Sequence, residues 1–308
     1  MTSTMYGRRA FFALAAAVVG AAAVPVAAVP SAAAARTGSG HGDSARLEYQ
    51  KRVVARIDHE VFEDGNTEAV DLYMLPDYIQ HSPSAPNGTQ ALKNTAAMFA
   101  REYPDARWNI KRIISEGDYV LAHSNFVLTP GTPGWAIFDI LRFQDGKIAE
   151  HWDIVQDVPE HSTGGHDMFS TESRPRTEEP GPRWQTEHSK RLVTAYFNRL
   201  LVKRDLGAID GYVDCDYHEH DPGMADGVAG LKAGLGGYFE QFPQLQVMPK
   251  RMVAEGDLVG VHSHYVDVPG ERGRAVLDLF RVRGGKIVEH WVTKQEVPET
   301  SANDNTMF

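Results

Sequence analysis

Three histidines and one aspartate recur at a constant separation and are the plainest candidates for chemistry in this chain. His81, His123 and His151 return as His220, His262 and His290, each 139 residues further on, and Asp139 returns as Asp278. Asp139 stands between Phe138 and Ile140, and Asp278 between Leu277 and Leu279. A carboxylate in an apolar strand is disfavoured unless it is paired or takes part in chemistry. Burial raises its pKa and a neighbouring imidazolium lowers it, and either outcome suits a group that accepts and returns a proton. Side chains alternate along a strand, so His123 shares a face with Leu121 and Asn125, Asp139 with Ile137 and Leu141, and His151 with Asp153. A concave sheet that gathered these faces would bring His123, Asp139 and His151 into one cup, and His262, Asp278 and His290 into another. There they would form a general acid–base couple, with the aspartate orienting the imidazole or acting as the base itself. The same groups could equally form a buried salt bridge that holds the domain together.

Around these four lie weaker candidates for contacts to a substrate. Tyr78 and His81 lead into the first set and Tyr217 and His220 into the second, while Trp152 and Trp291 directly follow His151 and His290. Three histidines and an aspartate per copy also fit a metal such as zinc, copper or iron. Their spacings are long and irregular, however, and lack the short His-x-x-x-His pattern of a strong site. His218-x-His220 and His262-x-His264 are closer, but the first copy has Ile79 and Asn125 in place of His218 and His264. No residue is therefore assigned as a metal ligand and no cofactor is expected. Phosphate loops, dinucleotide fingerprints and Gly-x-Ser-x-Gly are all missing, and the lone Cys215 matches Pro76, which argues against a duplicated nucleophile. Asp153 becomes Val292, so either the copies differ or Asp153 is dispensable.

The elements that must position these groups are written twice. Residues 48–169 align with 187–308 without a gap, with 43 identities in 122 positions. A unit of that length is a domain in its own right. Each copy begins with helical periodicity, as at Val53, Val54, Ile57, Val61 and Phe62, and ends with four alternating strands joined by turns such as Asp145-Gly146. Helices first and a meander afterwards predict an α+β domain, a curved antiparallel sheet wrapped around helices. Residues 46–169 and 187–308 are read as the two domains, 170–186 as a polar linker and 36–45 as a flexible tail. In residues 1–35, Arg8-Arg9 precede an Ala/Val-rich run and small residues suited to cleavage, the pattern of an export signal of twin-arginine type. That reading expects a secreted protein without a stable membrane anchor. The net charge of −10 argues against a nucleic-acid partner, and one cysteine in 308 residues rules out an intrachain disulfide framework.

Tyr78-Ile79-Gln80-His81-Ser82-Pro83, Phe138-Asp139-Ile140 and Asp145-Gly146-Lys147-Ile148-Ala149-Glu150-His151-Trp152-Asp153 together resemble a SnoaL-like polyketide cyclase domain of the nuclear transport factor 2-like superfamily. Tyr217, His220, Pro222, Asp278, Gly285-Lys286-Ile287 and Glu289-His290-Trp291 resemble it again. The resemblance implies two cone-shaped domains, each with a deep apolar pocket, and chemistry of the cyclase, isomerase or lyase kind without cofactors. It implies that Asp139 and Asp278 move a proton beside a carbonyl while His123 and His262 polarise the oxygen. It further implies a hydrophobic small-molecule partner and an internal pseudo-dimer of the two repeats. Relatives include binding modules that catalyse nothing, so a ligand-binding protein and a His/Asp metalloenzyme remain alternatives at this stage.

Overall fold

The computed structural model describes residues 40–308; the expected export signal lies outside the described residues. Helix α1 (Gly40–Arg56) continues into a π-helical segment, Ile57–Glu63. Short helix α2 (Ala69–Tyr73) leads into strand β1 (Met74–Gln80), and helix α3 (Thr89–Glu102) precedes β2 (Arg107–Glu116), β3 (Tyr119–Val127), β4 (Trp135–Gln144) and β5 (Lys147–Asp157). The second copy repeats this as α4 (Thr186–Phe197), a π segment Asn198–Val202, α5 (Ala208–Tyr212), β6 (Val213–Glu219), α6 (Gly227–Gln241), β7 (Gln246–Glu255), β8 (Leu258–Val266), β9 (Arg274–Arg283) and β10 (Lys286–Glu296). Among these helices none is long and apolar enough to cross a membrane.

Both sheets are five-stranded and mixed, in the orders β1-β5-β4-β3-β2 and β6-β10-β9-β8-β7. The first strand of each runs parallel to the last, and the other neighbours are antiparallel. This is the α+β architecture that the sequence predicts, present twice. The β4–β5 turn needs left-handed backbone at Asp145 (φ 51°) and Gly146 (φ 79°), and the second copy meets the same need with Gly284 and Gly285. Helix α3 buries Leu92, Ala96 and Phe99, one stripe at helical spacing, against the concave face of its sheet.

The start of the first domain departs from expectation. Part of the stretch read as a loose tail is helix, because Arg46 ties the first turns down: it bonds Asp43 at 3.4 Å and, across the fold, Asp118 at 2.8 Å and the Gly117 carbonyl at 2.7 Å. Residues 170–186, the segment between the domains, are packed against the second domain. Thr171 and Ser173 are buried, the Ser173 hydroxyl donates to Glu289 at 2.5 Å, and Arg281 donates to the Thr177 carbonyl at 2.7 Å.

The outer faces of the sheets pack on each other around Leu121, Phe138, Ile140, Trp152, Leu277, Leu279 and Trp291. Pairs of contacts cross this seam reciprocally. The Arg112 guanidinium lies 3.8 Å from the Trp291 ring centre, and Arg251 lies 3.9 Å from that of Trp152. Ser115 N–H donates to Glu255 at 2.8 Å, and Ala254 N–H to Glu116 at 2.9 Å. The segments after β5 and β10 are exchanged: Ala302 N–H donates to the Pro83 carbonyl, and Thr163 N–H to that of Pro222.

Candidate active site

Each domain holds a cavity between its helices and the concave face of its sheet. The first, about 80 Å³, is walled by Phe62, Met98, Phe99, Trp108 and Phe126, with Asp58, Tyr78, Gln80, Asp139, His151 and Asp153 among its polar groups. The second, about 280 Å³, holds Tyr217, Glu219, Asp221, Tyr265, Arg274, Asp278, His290 and Lys294.

In the first cavity His151 Nε2 stands 2.9 Å from Asp139 Oδ1, and its Nδ1 3.0 Å from Gln80 Oε1. Gln80 donates through Nε2 to the Tyr78 hydroxyl oxygen at 3.0 Å, so its Oε1 is an acceptor. Both imidazole nitrogens thus face acceptors, which requires a doubly protonated ring. Burial opposes that charge, but the Asp139 hydrogen bond and the Asp139 and Asp153 charges outweigh it and raise the His151 pKa. Asp139 Oδ2 is buried without a hydrogen-bond partner. Asp153 is pushed up to about 6, by burial first and by the Asp139 charge against the opposing pull of His151. The π-helical turn presents Asp58 into the same cavity, where burial and the charges of Asp139 and Glu63 raise its carboxyl well above the usual range. Its Oδ2 has no hydrogen-bond partner.

The second cavity repeats the couple and caps it. His290 donates to Asp278 Oδ1 at 3.1 Å and to Glu219 Oε1 at 2.8 Å, and these carboxylates overcome burial to raise its pKa to about 10. Tyr265 donates to Asp278 Oδ2 at 3.1 Å, and Tyr217 to Glu219 Oε2 at 2.6 Å. Two of the replacements between the copies bear directly on the hydrogen bonds around the couple. Glu219 for Gln80 offers the Tyr217 hydroxyl a carboxylate acceptor, and Tyr265 for Phe126 occupies the oxygen that stays free in Asp139.

The expected cup therefore forms without His123 and His262. Asp139 and His151 meet in one cavity, and Asp278 and His290 in the other, but His123 pairs across the strands with Phe138 while Asp139 pairs with Ala122. Directly opposed residues share a face, so His123 points away from Asp139 into the seam between domains. There it stacks on Phe138 with ring centres 4.1 Å apart and takes a hydrogen bond from Arg112 at 3.0 Å. Burial and the Arg112 charge hold it well below its usual pKa, and burial with Arg251 lowers His262 to about 3. Both are neutral and out of reach of the cavity contents.

His81 and His220 also leave the cup. His81 stacks on Trp152 and bonds Glu150 at 2.8 Å and the Thr306 carbonyl at 2.5 Å, while His220 stacks on Trp291 and bonds Glu289 at 2.9 Å and the Asp167 carbonyl at 2.6 Å. Each fastens the exchanged segment of the other domain. Trp152 and Trp291 belong to the seam for the reason of parity, since their neighbours His151 and His290 point inward. Tyr78 and Tyr217 do line the cavities. Asp58 was missed because its counterpart is Phe197, and residues that differ between copies carry no signal in a search for repeats. The trace that could have found it was a charge within the apolar helical stripe Ile57, Val61 and Phe62.

The chain is similar to known proteins. The profile of the SnoaL-like polyketide cyclases matches residues 52–160, and that of the SnoaL-like domain matches residues 193–290. The chain carries two tandem SnoaL-like domains. Solved structures match one domain at a time. A Bacillus cereus protein provisionally assigned as a polyketide cyclase is 25% identical over 39% of this chain and 80% of its own, with a TM-score of 0.33. TsrD from Streptomyces laurentii is 18% identical over 35% of this chain and 89% of its own, at 0.31. A SnoaL-like protein of unknown function from Burkholderia thailandensis is 15% identical over 35% of this chain and 95% of its own, at 0.30. Comparison with curated proteins gives no match. Within the SnoaL-like pair, the two cavities keep one aspartate–histidine couple and differ in what surrounds it.

Proposed function

We propose that the first SnoaL-like domain is a cofactor-independent acid–base catalyst acting on a compact, hydrophobic carbonyl compound, and that the protein works after export. One observation carries this reading: Asp139 Oδ2 is buried, unpartnered and at the wall of an apolar cavity, while Oδ1 is held by His151. A carboxylate oriented through one oxygen has the other available as a base. Asp139 Oδ2 takes a proton from the carbon beside the carbonyl, and the electron pair moves onto the carbonyl oxygen. Neutral Asp58 donates a hydrogen bond to that oxygen, as does the Tyr78 hydroxyl, whose own oxygen is already fixed by Gln80. A carboxyl kept neutral by burial is well suited to stabilise an enolate. Returning the proton to another carbon gives isomerisation, and attack of the enol carbon on a second carbonyl gives ring closure.

The second domain is read as a ligand-binding module, because Tyr265 and His290 together occupy both oxygens of Asp278. The test is exchange of α-hydrogens for deuterium, followed by NMR on a panel of apolar ketones incubated with the full chain. Asp139→Asn should slow exchange by about 100- to 10,000-fold, and Asp278→Asn should leave it intact. Undiminished exchange in Asp139→Asn would sink the mechanism, and a comparable loss in Asp278→Asn would sink the division of labour.

A further inference from the structure

The segment exchanged from the first domain brings His166 onto the second, beside His218 of β6 and Asp226 ahead of α6. His166 Nε2 lies 3.0 Å from Asp226 Oδ2, and His218 Nδ1 lies 3.8 Å from the same oxygen. One ligand atom from each residue falls within 4.8 Å of the others. Asp226 Oδ1 accepts the Glu219 N–H at 2.8 Å, which fixes the carboxylate with Oδ2 turned to the imidazoles. His218 Nδ1 is shielded from solvent and has no hydrogen-bond partner. Nearby His220 is not available as a fourth ligand, since both its nitrogens are engaged by Glu289 and the Asp167 carbonyl.

The first domain shows what this corner needs if it is only a latch. The counterparts of His166, His218 and Asp226 are Asn305, Ile79 and Asn87. Asn305 Nδ2 donates to Asn87 Oδ1 and to the Gln80 carbonyl, both at 2.8 Å, and Ile79 adds no polar group. At this corner the first domain uses two amides to hold the segment. An ion pair between His166 and Asp226 would explain two of the three replacements, but it leaves a histidine with an idle nitrogen beside a second imidazole. All three are accounted for together by a cation that needs deprotonated imidazoles and a carboxylate.

We propose that His166, His218 and Asp226 bind a divalent transition-metal ion that pins the exchanged segment to the rim of the second cavity. Two imidazoles and one carboxylate suit zinc, with water completing the shell. Ligand atoms around such an ion stand about 3.3 Å apart, so the cluster closes by roughly an ångström when it binds. Side-chain exposures of 22%, 28% and 32% for His166, His218 and Asp226 give the ion a way in. The rim is the stretch between β6 and α6 that carries Asp221, Gly223 and Met224 of the cavity wall, so the ion would brace the entrance to a ligand pocket.

The test is calorimetric titration of the untagged full chain with Zn²⁺ at neutral pH, with Co²⁺ absorption as a spectroscopic report. The variants are His218→Ile and His166→Asn, residues that the first domain tolerates at the same places. Wild-type protein should bind one equivalent through this site, and either variant should lose that equivalent or weaken it by about 100-fold or more. Zn²⁺ should also protect residues 158–169 from proteolysis in the wild type alone. Absence of binding by the wild type, or equal stoichiometry and affinity in both variants, would overturn the proposal.

Discussion

Tyr265 donates its hydroxyl to Asp278 Oδ2 at 3.1 Å, and the residue at the equivalent position of the first domain is Phe126. One hydroxyl thus separates a capped aspartate oxygen from a free one in the two couples. A hydrogen bond to a charged group contributes about 1.5–3 kcal/mol. The substitution Phe126→Tyr should therefore slow α-hydrogen exchange by roughly 10- to 100-fold, through lost basicity rather than lost structure. The converse change, Tyr265→Phe, should raise exchange in a chain already carrying Asp139→Asn. Unaltered rates in both would show that the free oxygen is not what matters.

Asp153 gives the first cavity its own pH dependence. Its pKa of about 6 lies in the range where the second negative charge beside Asp139 appears as pH rises. That charge makes Asp139 a stronger base, so kcat/KM should climb through an inflection near pH 6. In Asp153→Asn the inflection should vanish, while the activity that remains still depends on Asp139. An unchanged profile in this variant would assign the inflection to another group.

His290 predicts a pH dependence of stability rather than rate. Its folded pKa is raised to about 10 from an ordinary 6.5, by the Glu219 and Asp278 carboxylates acting against burial. A histidine with a raised folded pKa adds stability that is complete below pH 6.5 and is lost as pH climbs through 10. The melting temperature should therefore fall from pH 7 to pH 10. His290→Gln should start lower at pH 7 and show a flatter fall, measured by calorimetry. Equal slopes would mean that His290 is not the titrating group.

The seam between domains shows how the same residue types are given opposite tasks. Arg112 and Arg251 sit over Trp291 and Trp152 and keep His123 and His262 neutral, so histidines that repeat as faithfully as His151 and His290 are part of the scaffold. Repetition reports that a position is constrained. It does not report whether packing or chemistry imposes the constraint.

Much was legible in the residues alone. The gapless repeat, the helix stripes and the strand alternation are local periodicities, and they specified two α+β domains, while the motifs around His81, Asp139 and His151 carried the resemblance to the SnoaL-like family. What the tertiary structure decided is which faces meet. Strand parity orders side chains within one strand, but the hairpin register places Asp139 opposite Ala122 and His123 opposite Phe138, and that alone turns His123 out of the cup. The packing of the sheets took Trp152 and Trp291 from candidate ligand contacts to the seam, because a sheet with two apolar faces buries both. The same packing exchanged the segments after β5 and β10 and set His166 beside His218. Asp58 came into view only when the π-helical turn aimed it at Asp139, since a burial that depends on contacts far apart in sequence leaves no period in the sequence to read.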